Sequence, residues 1–291
     1  MPIWTPRRHG LLQDAECHLR HRDEKLDRRW RKRRGLIGKV QGYPIVPTLH
    51  VVIPCFNEQQ TLEQCVRNLY KANWAPDWRI RVIVVDDSSG DNSVEIIRSL
   101  AEEFSALDLI EQPSNLGKGA AIRRGMSEVL LESHHSDCLV IQDADLEYDP
   151  EDLPEMIRLL ESNTQSDVVY GDRFDAGTRD SPMGFLHKSV NQFLTWLSNR
   201  LTGLRVQDME CCYKMFRISC IERILNELTE DRFGIEPQVT AALARHGVKP
   251  INHPVSYNPR NFQEGKKIGA KDGFRAVYVM TREALVGNRK R

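Results

Sequence analysis

The chain has 291 residues, of which 40% are hydrophobic and 28% charged, and its formal net charge is zero. This length and composition are those of an ordinary water-soluble protein with one large or two small domains and a sizeable core. No apolar run approaches the roughly 18 residues of a membrane-spanning helix, and residues 1–13 lack the apolar core of a secretory signal. The seven cysteines show no metal-type spacing, which predicts reduced thiols. We therefore expect a cytoplasmic protein.

The charge is concentrated near the N-terminus, where residues 1–40 hold 12 basic and 5 acidic side chains. Six of these cations, in residues 28–34, surround Trp30. Such an arm can lie on an anionic membrane, contact nucleic acid, or stay solvated without a partner. The glycines and the proline in residues 35–44 indicate a linker. We predict a basic arm over residues 1–45 and one domain over residues 46–291.

From Thr48 onwards, short apolar strands alternate with helices, and this alternation predicts a mostly parallel sheet with helices on both faces. The strands are predicted at 50–54, 80–85, 107–110, 139–142, 167–170 and 251–257, and the helices at 61–70, 94–104, 117–131, 153–160, 185–201, 221–228 and 235–246. After Gly171 the alternation fails: we predict an extended segment at 208–217, a basic, glycine-containing loop at 259–273 and a final amphipathic helix.

Three predicted strands end in polar clusters, at residues 55–58, 86–89 and 143–145. Each cluster can cap the following helix, because Asp, Asn and Ser favour that position. Ligands of parallel α/β sheets bind at the carboxyl ends of the strands, so three such clusters favour a ligand crevice. Residues i and i+2 of a strand point the same way, so Asp143 and Asp145 can share a ligand, for which Mg²⁺ or Mn²⁺ is suited.

The predicted helix at 185–201 has an unusually wide apolar face that includes Phe185 and Trp196. Core packing is the favoured interpretation. The alternative is a helix that lies on lipid, because aromatic side chains beside an apolar face and cations suit the membrane interface.

Taken together, the clusters resemble the family 2 inverting glycosyltransferases of the GT-A fold. The matching segments are Val52-Ile53-Pro54-Cys55-Phe56-Asn57-Glu58, Val84-Val85-Asp86-Asp87-Ser88-Ser89-Gly90-Asp91, Asn115-Leu116-Gly117-Lys118-Gly119-Ala120-Ala121 and Asp143-Ala144-Asp145-Leu146-Glu147. Within that family, the chain looks closest to synthases of polyprenyl- or dolichyl-phosphate mannose or glucose. This narrower resemblance rests on residues 171–174, 208–217 and 257–267.

The resemblance implies a role for each matching residue. The donor, a GDP- or UDP-hexose, would be bound by Pro54, Phe56, Glu58, Val85, Asp87, Lys118, Asp143, Ala144, Arg173, Arg260 and Lys266. Mg²⁺ or Mn²⁺ would be held by Asp143, Asp145 and Glu147. Beside the resemblance, the predicted catalytic residues are Asp145, Asp208 and Arg173. Lys214 and Arg217, on the same segment as Asp208, are predicted to hold the acceptor phosphate.

The acceptor decides whether a base is needed. A phosphate monoester has a second pKa near 6 and is already largely anionic at pH 7, so polyprenyl phosphate can attack unaided. A hydroxyl acceptor needs a carboxylate to take its proton, and Asp208 is the candidate. Asp208 can equally be a structural hydrogen-bond acceptor, and Lys214 and Arg217 can pair with nearby acids instead of substrate.

We therefore predict a metal-dependent, inverting hexosyltransferase that acts on polyprenyl phosphate at the cytoplasmic membrane face. A lipid acceptor gives the basic arm and the helix at 185–201 a common partner, an anionic membrane surface, and no nucleic acid is expected. The alternative is the same donor chemistry with a soluble or saccharide hydroxyl acceptor. A binding module without catalysis would not need the paired acids. A nucleotidyltransferase would usually carry a glycine-rich basic loop after the first strand. Residues 54–58, which follow the first strand here, do not have that composition.

Overall fold

The computed structural model describes residues 46–174, 185–260 and 270–288. The predicted basic arm, Lys266 and most of the basic loop lie outside the described residues. The described part of the chain contains no helix with the length and apolar character needed to cross a bilayer.

A seven-stranded sheet forms the centre of the described residues and confirms the predicted α/β architecture. The strand order is β3-β2-β1-β4-β6-β5-β7, and only β6 runs antiparallel to its neighbours. The strands are β1 (Thr48–Cys55), β2 (Arg79–Asp86), β3 (Leu107–Glu111), β4 (Cys138–Ile141), β5 (Val168–Asp172), β6 (Lys214–Arg217) and β7 (Ile251–Pro254).

Helices cover the sheet, and their positions agree with the apolar periodicity of the sequence. They are α1 (Leu62–Lys71), α2 (Ser93–Glu103), α3 (Lys118–Glu132), α4 (Leu153–Ser162), α5 (Phe185–Thr202), α6 (Ile218–Ile224), α7 (Ile235–Arg245) and α8 (Ala270–Asn288), with short 3₁₀ turns at Pro150–Asp152 and Leu225–Glu227. The predicted helix at 221–228 thus begins three residues earlier and ends in a 3₁₀ turn.

Strands β1 and β2 are apolar because both of their faces are covered. The side chains of Val51, Val52 and Ile53 in β1, and of Val82 to Val85 in β2, are fully buried, as expected for a parallel sheet between helices. Helix α3 lies so close to β1 that a Cβ atom at Gly125 would stand 2.4 Å from Cγ1 of Val52. The glycine therefore allows α3 to pack closely against β1.

Strand β6 comes from the segment at 208–217 that the sequence predicts to be extended. It lies between β4 and β5, where Tyr170 stands opposite Lys214 and Cys138 stands opposite Arg217. Because β6 is antiparallel, its first residue lies at the carboxyl ends of the parallel strands and its last residue at their amino ends. The two cations predicted to bind the acceptor are consequently at opposite edges of the sheet.

The six cysteines among the described residues are free and buried, which confirms for them the predicted reduced state. Burial raises the pKa of the Cys138 and Cys211 thiols to about 12. These thiols therefore stay protonated and serve as small apolar groups in the core.

Candidate active site

The polar segments that follow β1, β2 and β4 meet at one edge of the sheet, as the sequence predicts. The backbone N–H of Asn57 donates to Oγ of Ser89 at 2.9 Å. The guanidinium of Arg260 donates to Glu58 at 3.1 Å and to Asp145 at 3.1 Å. Residues far apart in the chain thus line one crevice.

The segment from Asp143 to Asp145 does not continue the strand. Strand β4 ends at Ile141, Ala144 is buried in a turn, and Leu146 has a φ of 64°. The alternation of side chains along a strand therefore does not explain how the two acids are arranged. Each acid faces its own cation instead: Asp143 accepts from Lys118 at 2.8 Å, and Asp145 pairs with Arg260.

The pKa values of the two acids are shifted in opposite directions. Burial opposes ionisation of Asp143, but the Lys118 ammonium outweighs it and lowers the pKa of this carboxyl group. Burial, followed by the charges of Asp143 and Glu147, raises the pKa of Asp145 to about 7, although Arg260 acts in the other direction. Negative charge is thus in excess around Asp145, and an additional cation there would be stabilised.

The residues around Asp145 fit a divalent cation that arrives with a diphosphate. Carboxylate oxygens are the ligands that Mg²⁺ and Mn²⁺ prefer. Within the described ranges, no group of three or more His, Cys, Asp or Glu side chains is arranged to hold a metal on its own. Mg²⁺ usually binds through one or two carboxylates together with substrate phosphates, so an incomplete protein ligand set agrees with this chemistry.

Glu147, the predicted third metal ligand, organises the segment that carries Arg260. One carboxylate oxygen of Glu147 accepts from the Tyr257 hydroxyl at 2.8 Å, and the other accepts from the backbone N–H of Arg260 at 2.9 Å. These bonds hold Arg260 over the crevice. Metal binding by Glu147 stays a prediction, and the sequence assigned no role to Tyr257.

Val85 and Asp87, the predicted contacts to the nucleobase, are both engaged within the fold. Val85 is fully buried, and a Cβ atom at Gly125 of α3 would lie 3.3 Å from its side chain. Both carboxylate oxygens of Asp87 accept backbone N–H groups, from Leu116 and Gly117, at 2.7 Å each. Asp87 therefore fixes the loop before Lys118. Its neighbour Asp86 has a buried oxygen, Oδ1, without a hydrogen-bond partner.

Arg173 and Asp208, both predicted to be catalytic, form a buried ion pair. Nε of Arg173 donates to Oδ2 of Asp208 at 2.6 Å, and one Nη donates to Oδ1 at 2.9 Å. Asp208 is 0% and Arg173 6% exposed. A carboxylate with both oxygens held by a guanidinium is a poor proton acceptor, so this placement argues against Asp208 as a base.

The cations predicted to meet the acceptor are also engaged in the protein. Lys214 is fully buried and contacts Glu236 at the start of α7, because β6 places it beneath the crevice. Arg217 lies at the opposite edge of the sheet, where its guanidinium donates to the backbone carbonyls of Leu160 and Ser166. Neither placement supports acceptor binding.

Sequence reasoning missed two acids beneath the crevice. Glu236 lies between Lys214 and Lys118, with Oε1 3.8 Å from the Lys118 ammonium. Glu210 has a buried oxygen, Oε1, without a hydrogen-bond partner, and burial together with the charge of Glu236 raises its pKa to about 7. The signal for Glu236 was an acidic residue in the first turn of a mostly apolar helix.

A recess of about 750 Å³ opens beside Arg173. Asp172 and Phe174, the neighbours of Arg173 in the chain, line it on one side, and Trp196 of α5 lines it on the other. Phe193 and Trp196 stack with ring centroids 5.9 Å apart and are 54% and 60% exposed. Helix α5 therefore uses Leu194 for core packing, as favoured from the sequence, but keeps an aromatic face exposed.

Comparison with known proteins identifies the family. The model of the glycosyl transferase family 2 matches residues 50–225. The chain belongs to this family. The resemblance noted in the sequence is thus confirmed, and the matched region contains all three polar clusters of the crevice.

Among curated members of family 2, the chain is 29% identical over 225 residues to undecaprenyl-phosphate 4-deoxy-4-formamido-L-arabinose transferase of Klebsiella pneumoniae (strain 342), which covers 77% of this chain and 64% of the relative. It is 30% identical over 177 residues to dodecaprenyl-phosphate galacturonate synthase of Rhizobium johnstonii, and this alignment covers 60% of this chain and 49% of the relative. The chain thus spans about half to two thirds of the length of these relatives.

Solved structures confirm the GT-A fold. Glucosyl-3-phosphoglycerate synthase of Mycobacterium tuberculosis, in complex with phosphoglyceric acid, aligns with a TM-score of 0.60 and 16% identity, over 82% of this chain and 80% of that chain. The same synthase in complex with Mn²⁺, UDP and glucosyl-3-phosphoglycerate aligns with a TM-score of 0.57 over the same shares of both chains. At this identity the likeness concerns the fold.

Proposed function

We propose that this family 2 chain transfers a sugar, with inversion, from a nucleoside diphosphate donor to polyprenyl phosphate, and that a divalent cation takes part. The observation that carries the proposal is the pairing of Asp143 with Lys118 and of Asp145 with Arg260 at the carboxyl ends of the strands. Both curated relatives are named for polyprenyl-phosphate sugars, which supports this acceptor class.

The donor diphosphate would lie between the acids and the cations of the crevice. Asp145 and the adjacent acids would hold Mg²⁺ or Mn²⁺, which when bound supplies positive charge to the leaving diphosphate. Lys118 and Arg260 place further fixed positive charge where negative charge develops. When the donor enters, its phosphates can replace the carboxylates now paired with Arg260. Pro54, Phe56 and Glu58 remain the proposed contacts to the nucleoside.

The acceptor phosphate needs orientation rather than a base. The proposed contact for the acceptor phosphate is Arg173. The guanidinium of Arg173 directs two of its five N–H groups to Asp208. The recess beside Arg173 leads to the exposed aromatic face of α5, so the isoprenoid chain would approach along Phe174 and Trp196.

Two exposed apolar stripes support docking on an anionic membrane surface. Helix α5 exposes Phe193 and Trp196. Helix α8, which packs against α5, exposes Phe274, Tyr278 and Leu285 along one stripe. Aromatic side chains flanked by cations are typical of helices that lie in the membrane interface, and Arg275 stacks over Tyr278 at 5.2 Å. We place the enzyme at the cytoplasmic membrane face.

A transfer assay tests the proposal. Purified chain is incubated with UDP- and GDP-hexoses, a UDP-hexuronate and a UDP-pentose, each with polyprenyl phosphate or a soluble alcohol, and with or without Mn²⁺. The proposal predicts a glycosylated lipid from one donor only when the metal is present, with inverted anomeric configuration. A product that forms equally well in EDTA contradicts the metal role, and a product confined to the alcohol contradicts the acceptor.

Vesicle flotation tests the membrane surface separately. Changing Phe193 and Trp196 to Ser should weaken binding to vesicles that contain an anionic lipid, whereas Gln192→Ser on the same helix serves as the matched control. If both variants float as the wild type does, α5 does not contact the membrane.

A hydroxyl acceptor is the second candidate, and Glu210 is the observation that favours it. A carboxyl group with a pKa of about 7 and an unpartnered oxygen is suited to proton transfer. In that case Glu210→Gln abolishes transfer to the hydroxyl acceptor, whereas transfer to polyprenyl phosphate needs no base and persists.

A further inference from the structure

The first turn of α3, which carries Lys118, is packed against the loop at residues 229–232. A Cβ atom at Gly117 would lie 2.4 Å from the carbonyl oxygen of Asp231, and a Cβ atom at Gly119 would lie 2.3 Å from that of Glu230. The backbone N–H of Ala120 donates to Asp231 at 3.0 Å. The position of Lys118 therefore depends on where this loop lies.

The loop is held by a buried carboxylate. Glu230 is 2% exposed, and its charge is balanced by two arginines of α8. Arg275 donates to both carboxylate oxygens, at 3.0 and 2.8 Å, and Arg282 donates to Oε1 at 2.7 Å. The backbone N–H of Glu230 donates to Gln238 of α7 at 2.8 Å. Glu230 is the buried member of this group, whereas the guanidinium groups of Arg275 and Arg282 are partly exposed. Removing the charge of Glu230 therefore weakens the contact of both arginines with the loop.

The same loop is connected to the candidate donor site through Lys118. Lys118 reaches Asp143 at 2.8 Å, while Asp87 fixes the two residues before it through their backbone N–H groups. Asp87 constrains the turn from the sheet side, and Glu230 constrains it from the side of α8.

We infer that Glu230 is a positioning residue for the donor site: held by Arg275 and Arg282, it fixes the loop at 229–232 against α3 and keeps Lys118 on Asp143. This inference rests on the proposed function only in assigning Asp143 to the donor. Outer partners of a binding group typically change affinity by about tenfold or more when they are removed, so Glu230 should affect donor binding without touching the donor.

The test combines hydrogen exchange with nucleotide binding. In Glu230→Gln, amide exchange of residues 117–121 should rise, and calorimetry should show UDP or GDP with Mn²⁺ binding about tenfold more weakly. Glu227→Gln is the matched control, because it removes the charge of an acid in the same region that pairs with Arg245 of α7 at 2.8 Å. The control should change neither measurement.

A double-mutant cycle separates positioning from general destabilisation. Lys118→Met weakens nucleotide binding by itself, and adding Glu230→Gln to it should cause no further loss. A full additional loss, or unchanged exchange at 117–121 in Glu230→Gln, overturns the inference. If Glu230→Gln does not fold, Arg275→Gln provides a milder perturbation, because the guanidinium of Arg275 is half-exposed. This variant should also raise amide exchange at residues 117–121 and weaken nucleotide binding.

Failure of the proposed function gives a different result. If the wild type binds neither UDP nor GDP with Mn²⁺, the donor assignment fails, while the exchange measurement still decides whether Glu230 positions the first turn of α3. If nucleotide binds and the KM for the acceptor rises in Glu230→Gln instead of the KM for the donor, Glu230 does not act through Lys118.

Discussion

Replacing Asp208 with Asn distinguishes a structural acid from a catalytic base. The side chain keeps its shape but loses its charge, which leaves the guanidinium of Arg173 buried at 6% exposure without its counter-charge. Both hydrogen bonds of the pair are short, at 2.6 and 2.9 Å. Removing one partner of a buried ion pair costs about 3–5 kcal/mol, which lowers the Tm of a domain of this size by roughly 6–20 °C.

Urea and thermal unfolding measure this loss of stability. The double variant Arg173→Met, Asp208→Leu is measured beside it to remove both charges of the pair. The double variant should be more stable than Asp208→Asn, because no charge remains buried. Glu227→Gln, which removes a partly exposed acid, should lose about 1 kcal/mol or less. If Asp208→Asn unfolds as the wild type does and yet has no activity, Asp208 is a base and the structural assignment is refuted.

Three further predictions follow from the site. Asp145→Asn should lower the transfer rate by about a hundredfold or more and abolish its response to Mn²⁺, measured in the transfer assay; a full rate would exclude Asp145 from the site. Gly119→Ala should destabilise the fold by about 1–3 kcal/mol and weaken nucleotide binding, because its Cβ would meet Glu230; wild-type unfolding would show that the loop can move. The free energy of unfolding of the wild type should fall as the pH rises from about 4.5 to 7, because the pKa of Glu210 is raised from 4.5 to about 7 in the folded state. In Glu210→Gln, the free energy of unfolding should fall less over this range, by an amount on the order of 2 kcal/mol. Identical pH profiles of unfolding for the two proteins would contradict the raised pKa.

The sheet and its ligand edge were predictable because the evidence for them is local. The apolar runs in β1, β2 and β4 are nearly continuous, which is what burial on both faces of a parallel strand requires. The acids after these strands then meet at one edge because parallel strands share a direction. Asp143, Asp145 and Glu58 were placed correctly together on that basis.

The partners of the charged residues were not predictable, since they come from distant parts of the chain. The sequence left open whether Asp208 is a base or a structural hydrogen-bond acceptor, because its partner, Arg173, is 35 residues away and was itself assigned to the donor phosphates. Lys214 and Arg217 look equivalent in the sequence. Only the antiparallel direction of β6 separates them, and that direction is set by pairing with β4 and β5.

Local chain geometry also limited the sequence interpretation of the acidic motif. The spacing of Asp143 and Asp145 suggests two side chains on one face of a strand. The turn at Ala144 and the positive φ of Leu146 redirect them to different cations. A positive φ at a leucine is unusual, and no residue in the sequence signals it.

The most direct test of the central claim is the mass of the lipid product formed from polyprenyl phosphate and the accepted nucleotide sugar. The account predicts a gain of one sugar residue on the lipid phosphate in the presence of Mn²⁺, loss of that product with EDTA and in Asp145→Asn, and retention of it in Glu210→Gln. A lipid that stays unmodified while the same enzyme preparation glycosylates a hydroxyl acceptor would contradict the account.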